Sequence, residues 1–459
     1  MVYVLMSENT QSVGFVWPIW QSSSAGIFRL TASAPELACS GYRLTGSCGL
    51  VDDVAAAGRP REFGNGGQQV VQGALGDLVP PEKRVVEKRV SSHTGALSRA
   101  RTRLPLEAAE AVCDQVFATL IQSAQAGPAV AVVSGGWLLD APAAHASLRE
   151  GLSARWQSAW EAHWPVIRVL TAHHWSSGLA VRPCWGPMFG GEAVSEQGLA
   201  EQIMERLPAG AVLMDDRNFG VFSVAWAAQQ KGYGVLSRMT EARARKIAGG
   251  ILPPAGCECR VEWLPSRDDL RAHPEIPAAA VVRGRLIVAH VVGQDGKRFK
   301  LYLFTSGEEP REMWVELYRR RWDIELDIRS LKQTLRMHSL SAQTPEMAEK
   351  ELLLAIAGYN LVSSVQMQAA READLEPRRL SFSRVQAVVM TALPRLATLT
   401  DATEWEAEYK RVLGWAAQGK LPNRTRQRSY PRAVWGRGST FPKHQRKEPT
   451  SAHHPKGGK

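Results

Sequence analysis

Tyr318, Arg321, Glu325 and Lys332 have the side-chain types and the spacing to act together on a phosphate group. On a helix turning about 100° per residue they fall within an arc of roughly 60° on one face. The stripe sets a carboxylate between two cations, with a phenol at one end. Glu325 offers hard oxygen to a cation such as Mg²⁺, and the guanidinium and ammonium groups can neutralise phosphate oxygens. Tyr318 can stack or hydrogen-bond where a nucleic-acid backbone kinks. The same spacing also suits a solvated amphipathic helix with i,i+4 ion pairs such as Arg321–Glu325, each worth about a few tenths of a kcal/mol. Helix geometry alone leaves both readings open. Trp322, next in the stretch, could stack on an unpaired base, although packing into a core is the commoner fate of a helical tryptophan.

A second carboxylate comes from Asp215-Asp216-Arg217, which follows the short apolar run Ala211 to Met214. Strand ends are where ligands from separate segments converge, and neighbouring strand residues face opposite ways, so at most one of the two aspartates points into a site. A solvated acid capping the helix that follows is the plainer alternative. His173-His174-Trp175 is a third candidate for metal binding, but adjacent strand histidines diverge and no third ligand has a helpful spacing.

Several elements must position these groups. Ala129 to Val133 is a continuous apolar run closed by Gly135-Gly136, which predicts a buried strand and a turn. Strands are also predicted at Val166 to Ala172, Leu179 to Cys184, Ala211 to Met214 and Tyr233 to Leu236, with helices at Glu192 to Leu207 and Val221 to Lys231, the latter closed by Gly232. Arg238 to Arg271 reads as charged and irregular. Ala278 to Val282, Leu286 to Val292 and Phe299 to Phe304 read as antiparallel strands, the last two joined across Asp295-Gly296. A long helix is predicted from Glu312 to Leu335, with further helices at Pro345 to Ala370 and Ser383 to Leu396. The mixture predicts an α/β core with a β-rich insertion and helical flanks.

The spacing Tyr318-x2-Arg321-x3-Glu325-x6-Lys332 resembles the signature of the insertion-sequence-4 family of DDE transposases. Its flanks are similar too: Leu317 before it, Trp322 within it, Leu331 to Leu335 after it, then Lys350-Glu351-Leu352 and Tyr359-Asn360-Leu361. Asp216-Arg217-Asn218-Phe219-Gly220 resembles the segment holding the family's second carboxylate, and the position before Arg217 favours Asp216 over Asp215. The resemblance covers roughly Glu82 to Arg437. It implies an RNase H-like mixed-sheet α/β core with a β-rich insertion, flanked by N-terminal and C-terminal helical regions. The expected division is a poorly ordered segment at 1–75, a helical DNA-end-binding region at 76–127, the core at 128–380 with its insertion at about 238–308, a C-terminal helical region at 381–420 and a basic disordered tail at 421–459. It further implies Asp216 and Glu325 as metal-binding catalytic carboxylates, and Tyr318, Arg321, Lys332, Arg217 and Trp322 as contacts to DNA. The implied cofactor is a pair of Mg²⁺ ions, replaceable by Mn²⁺. The implied partners are double-stranded DNA, as terminal inverted repeats and target, and a second copy of the chain on the paired ends. The implied reaction is metal-dependent cleavage and strand transfer.

One position departs from the family pattern. The first aspartate, which follows an apolar strand, is replaced by Ser134 in Ser134-Gly135-Gly136. A neutral hydroxyl is a poor ligand for Mg²⁺, and the loss should raise the barrier by several kcal/mol, a rate drop of roughly a thousandfold or more. Asp140 could replace it only if the chain reversed at Gly135-Gly136, because six extended residues span about 20 Å. Two readings follow, an active transposase and a DNA-binding relic without catalysis. An RNase H-like nuclease unconcerned with end sequences is a more distant third.

Composition agrees with a protein that meets nucleic acid. Lys and Arg number 56 against 45 Asp and Glu, a net charge of +11. Residues 421–459 hold ten Lys or Arg and one acid, Glu448, and so carry about nine of those charges. A tail of that kind favours polyanions, or serves as a solvated terminus. The basic, aromatic run Tyr430 to Arg437 resembles the family's C-terminal segment. Six scattered cysteines without a C-x-x-C pair suit a reducing compartment. No uninterrupted apolar run reaches the roughly 18 to 20 residues of a bilayer span, and no leader pattern is visible. A cytoplasmic, nucleoid-associated protein is the expectation.

Overall fold

The computed structural model describes residues 102–124, 130–140, 166–188, 192–292, 298–335, 344–399 and 401–422, residues 337, 340 and 342, and three short strands near the N-terminus. Those strands are β1 (Tyr3–Met6), β2 (Ser12–Pro18) and β3 (Ile27–Ser33), paired antiparallel in sequence order where little order is predicted. The expected helical run before residue 102 and the tail motif Tyr430 to Arg437 lie outside the described residues.

The core opens with α1 (Leu106–Ser123), β4 (Val130–Asp140), β5 (Val166–His174) and β6 (Cys184–Pro187). Then come α2 (Glu196–Met204), β7 (Val212–Asp215), α3 (Phe222–Gln230) and β8 (Gly234–Met239). Strands β4, β5 and β6 form an antiparallel meander, while β7 and β8 run parallel to β4, in the spatial order β6-β5-β4-β7-β8. This is the RNase H-like mixed sheet that the resemblance implies. Its parallel strands need crossovers, and α2 and α3 supply them on amphipathic sequence. Helix α3 ends as the sequence predicts, with Gly232 at φ +75°, a conformation that favours glycine.

The insertion extends this sheet instead of standing apart from it. Past α4 (Glu241–Ile247) come β9 (Glu258–Trp263), α5 (Arg267–Ala272), β10 (Val282–Val292) and β11 (Arg298–Thr305). Strand β11 pairs antiparallel with β8, β10 with β11 and β9 with β10, so β4 to β11 make one eight-stranded sheet. Two expectations change here. The segment 238–271, expected to be irregular, holds the edge strand β9 with a short helix on each side; alternating Glu258, Arg260 and Glu262 blunt that edge, which makes the segment read as charged loop. The separate strand predicted at Ala278 to Val282 is only the lead-in to β10.

Strand β4 also differs from its prediction. Instead of turning at Gly135-Gly136 it continues to Asp140, which pairs with Val166. The two glycines are absorbed as an irregularity between Ser134 and Trp137, where three steps on β4 match two on β5. Glycine marks a bulge here, not a reversal.

The long helix predicted from 312 to 335 is a run of changing pitch. Helix α6 (Arg311–Arg319) tightens into a 3₁₀ turn (Arg320–Trp322), continues as α7 (Asp323–Arg329) and widens into a π turn (Ser330–Thr334). After it, α8 (Pro345–Glu372) starts on a Thr344 cap that accepts from the Met347 N–H, with Pro345 in the first turn. A 3₁₀ turn (Pro377–Arg379), α9 (Phe382–Thr398) and α10 (Ala402–Ala417) follow. Helix α8 is long and apolar enough to cross a bilayer by length and composition, although no uninterrupted apolar run predicted that. It is almost wholly buried, with α1 on one side and α9 and α10 on others, and it is the central helix of the main core. Its Lys350, buried with it, is matched by Glu346 at 2.5 Å and the Thr102 carbonyl at 3.3 Å.

Two hydrophobic cores sit on the two faces of the sheet. Leu213 and Val235 belong to the larger, with α8. Met214 and Leu236 belong to the smaller, with Ile287, Leu303, Trp314, Leu317, Tyr318 and Ile324. The strip of changing pitch is thereby laid across the ends of β7 and β8.

Candidate active site

Strand alternation sorts the two aspartates. Met214 faces α6 and α7, so Asp216, one residue beyond the end of β7, follows it on that face, and Asp215 turns to the other. Asp215 is fully buried; its Oδ2 accepts from the Ser237 hydroxyl at 2.7 Å, and its Oδ1 has no hydrogen-bond partner. Burial, with the Asp216 charge beside it, pushes the Asp215 carboxyl well above the ordinary carboxylate range. Asp216 is half-buried, and its Oδ1 accepts from the Asn218 N–H at 2.7 Å, which closes a tight turn. Arg217 is exposed, and its carbonyl accepts from the Arg243 guanidinium at 3.4 Å.

The parallel pairing of β4 with β7 places the third position. Val130 stands abreast of Val212, Ala131 of Leu213 and Val132 of Met214. Two residues further in the same register, Ser134 comes level with Asp216. Asp140 lies six residues along the same strand, about 20 Å further on, and so is no substitute for a ligand at Ser134.

The strip above these strand ends carries the remaining groups. A 3₁₀ helix has three residues per turn and eclipses i with i+3, so Arg321 lies directly over Tyr318, its guanidinium carbon 6.0 Å from the ring centre. Both are buried, at 7% and 4% exposure, yet Arg321 Nε and the Tyr318 hydroxyl have no hydrogen-bond partner. Burial raises the Tyr318 pKa; Arg321 and Arg238 pull it down, and Asp215 and Asp216 push it up. Glu325, one turn on, is half exposed and 3.6 Å from Arg321. Lys332 sits on the π turn, where burial depresses its ammonium pKa. The wider turn swings it off the straight line that a uniform helix would give.

Trp322 departs from the core-packing expectation. It is 59% exposed, and Arg321 stacks on its inner face at 4.8 Å. The 3₁₀ turn is the cause: it rotates position 322 out of the buried face of α6. The histidine pair is structural. His173 shares hydrogen bonds with the Gly178 carbonyl and the Thr171 hydroxyl, both at 3.0 Å, and His174 Nδ1 bonds the Ser177 hydroxyl at 2.8 Å.

Arg238 is a further candidate that sequence reading missed. It shares with Leu236 the face of β8 that looks toward Tyr318, half-buried. Its signal was the alternation Leu236-Ser237-Arg238, hidden by assigning residues from 238 onward to loop.

A divalent cation suits the donor chemistry in part. Asp216 and Glu325 offer hard oxygen, and the Tyr318 hydroxyl and Arg321 Nε lack hydrogen-bond partners. Among the described residues no group of three His, Cys, Asp or Glu side chains could hold a metal ion.

Residues 194–361 match the family described as the transposase DDE domain. That stretch contains Asp216, Arg238, Tyr318, Arg321, Glu325 and Lys332, while Ser134 lies before it. The chain is 35% identical over 297 residues to the transposase InsG for insertion sequence element IS4 of Escherichia coli (strain K12). The alignment covers 61% of this chain and 62% of that protein, so the chain spans less than two thirds of its relative's length. Both findings bear out the resemblance to insertion-sequence-4 DDE transposases.

Proposed function

We propose that this chain is the transposase of an insertion sequence, binding the element's terminal inverted repeats and built for metal-dependent cleavage and strand transfer of DNA. The observation that supports it most is the buried Tyr318 hydroxyl and Arg321 Nε, which lack hydrogen-bond partners, with the other end of the guanidinium 3.6 Å from Glu325. Buried polar atoms rarely stay unpaired unless a ligand completes them. A DNA phosphate supplies acceptors for both. Arg238 adds a cation from the sheet, Arg217 one from the exposed turn, and Trp322 offers an uncovered ring to a base at a distorted DNA end.

Asp216 and Glu325 would hold the divalent cation, Mg²⁺ with Mn²⁺ as substitute, which when bound activates water or a 3′-hydroxyl and neutralises charge on the phosphate. The chain's own groups orient that phosphate: Arg321, locked over Tyr318, faces its oxygens, and Lys332 approaches from the far end of the strip. A duplex with two ends calls for two such sites, hence a dimer of this chain.

A second reading is favoured by one observation, the register that sets Ser134 level with Asp216. On that reading the chain keeps the fold and the DNA grip but lacks the chemistry. Incubating the purified chain and Ser134→Asp with the element's end DNA and Mg²⁺ or Mn²⁺ separates the two. Cleavage by the Asp variant alone, at least about a thousandfold faster than the parent, is the result expected if the rest of the site is sound. No cleavage and no end-specific DNA binding by either protein would overturn the transposase reading.

A further inference from the structure

Helix α7 has two working sides. Arg321 and Glu325, one turn apart, face the site. Asp323 and Asp327, also one turn apart, each lie about 200° round the helix from Glu325 and face the opposite way. On that side stands Arg378, carried by the 3₁₀ turn after α8. Its Nε donates to Asp327 Oδ1 at 3.2 Å and its Nη2 to Oδ2 at 2.7 Å, a two-point grip that fixes direction as well as distance. The same guanidinium donates to the Trp175 carbonyl at 2.7 Å and lies 3.9 Å from Asp323. Arg320 doubles the grip, 3.6 Å from Asp323 and 3.0 Å from Glu376, with its guanidinium 5.0 Å from the Trp175 ring centre.

The surroundings leave Asp327 little room. Gly178, at φ +76°, brings its backbone so close that a β-carbon there would meet Asp327 Oδ1 at 3.3 Å. The Gly178 carbonyl accepts from Tyr359 of α8 at 3.0 Å and shares a hydrogen bond with His173, which is itself 3.9 Å from Asp327. The turn after β5, α7, α8 and the 3₁₀ turn thus meet at one ion pair.

We propose that Arg378, acting through Asp327 and Asp323, is a positioning residue that fixes the roll of α7 about its axis and so sets where Glu325 stands against Asp216. The functional part of this inference rests on the transposase reading. A helix held only by apolar packing can roll by a fraction of a turn at little cost, whereas a bidentate ion pair cannot. A displacement of about 1 Å at a metal ligand is enough to lower a rate roughly a hundredfold.

The test compares Arg378→Lys with its parent, each in the full-length Ser134→Asp chain. Lysine keeps the charge and loses the two-point grip. The expected result is amide hydrogen exchange about tenfold faster across residues 323–329 and unchanged across 311–319. End-DNA affinity should hold, and cleavage should be roughly tenfold to a hundredfold slower. Unchanged exchange in 323–329 would overturn the clamp. Faster exchange with undiminished cleavage would overturn its role in the reaction, as would a variant that loses folding and DNA binding together. If Ser134→Asp itself neither binds end DNA nor cleaves it, the transposase reading has failed, and the exchange measurement still decides whether Arg378 holds α7.

Discussion

Asp215 and Asp216 are chemically identical neighbours with opposite environments, and a strand's two-residue period is the whole cause. Asp215 is buried against Ser237 with its carboxyl pKa raised, so the folded state holds that proton more tightly than the unfolded chain does. Its stabilising contribution is therefore complete below the ordinary value of 3.8 and is lost as pH rises through the raised one. Asp215→Asn should consequently be more stable than the parent at pH 8, with the difference shrinking toward pH 4. Urea unfolding across that range measures it, and a constant difference would show that the carboxyl is not under strain. Arg238 makes a separate prediction. Arg238→Ala should weaken end-DNA binding and lower the slope of log affinity against log salt by about one unit, the mark of one lost phosphate contact. Titrations at several salt concentrations read this directly.

At the scale of elements, pitch decides what the four-residue spacing means. A uniform helix would string Tyr318, Arg321, Glu325 and Lys332 along a single stripe. The 3₁₀ turn instead stacks Arg321 on Tyr318 and exposes Trp322, while the π turn displaces Lys332. Spacing made the residues legible because the family pattern fixes them, but a change of pitch inside one helix has no sequence period of its own. Strand β9 was illegible for a related reason: charged residues on an edge strand look like loop. Strand β4 hid its length because a Gly-Gly pair serves bulges as readily as turns. Gly178 is the element-scale counterpart of the Arg378 clamp. Gly178→Ala forces a side chain into the left-handed region against Asp327, so it should cost about 1–3 kcal/mol. Thermal unfolding would show it, and a neutral result would mean that the turn after β5 can shift away from α7.

Across the whole molecule, the buried strands and the α/β class were the parts most open to reading, because short apolar runs bounded by turn signals mark such strands; the strand order and the two cores rest on pairings between distant segments. Helix α8 was legible as a helix but not as the centre of the fold, because its burial depends on partners distant in sequence. Its covers come from both directions along the chain. Helix α1 is made long before it, α9 and α10 only after it, and until α10 emerges a surface apolar enough for a bilayer has part of its cover missing. A copy of the gene cut short by a frameshift or stop codon after residue 372 would therefore yield a polypeptide whose central apolar helix keeps α1 but lacks the cover of α9 and α10. Such fragments are bound for aggregation or proteolysis. The fold thus tolerates the two kinds of change unequally: a point substitution at a strand end leaves the packing around α8 in place, whereas losing α9 and α10 leaves part of its apolar surface bare.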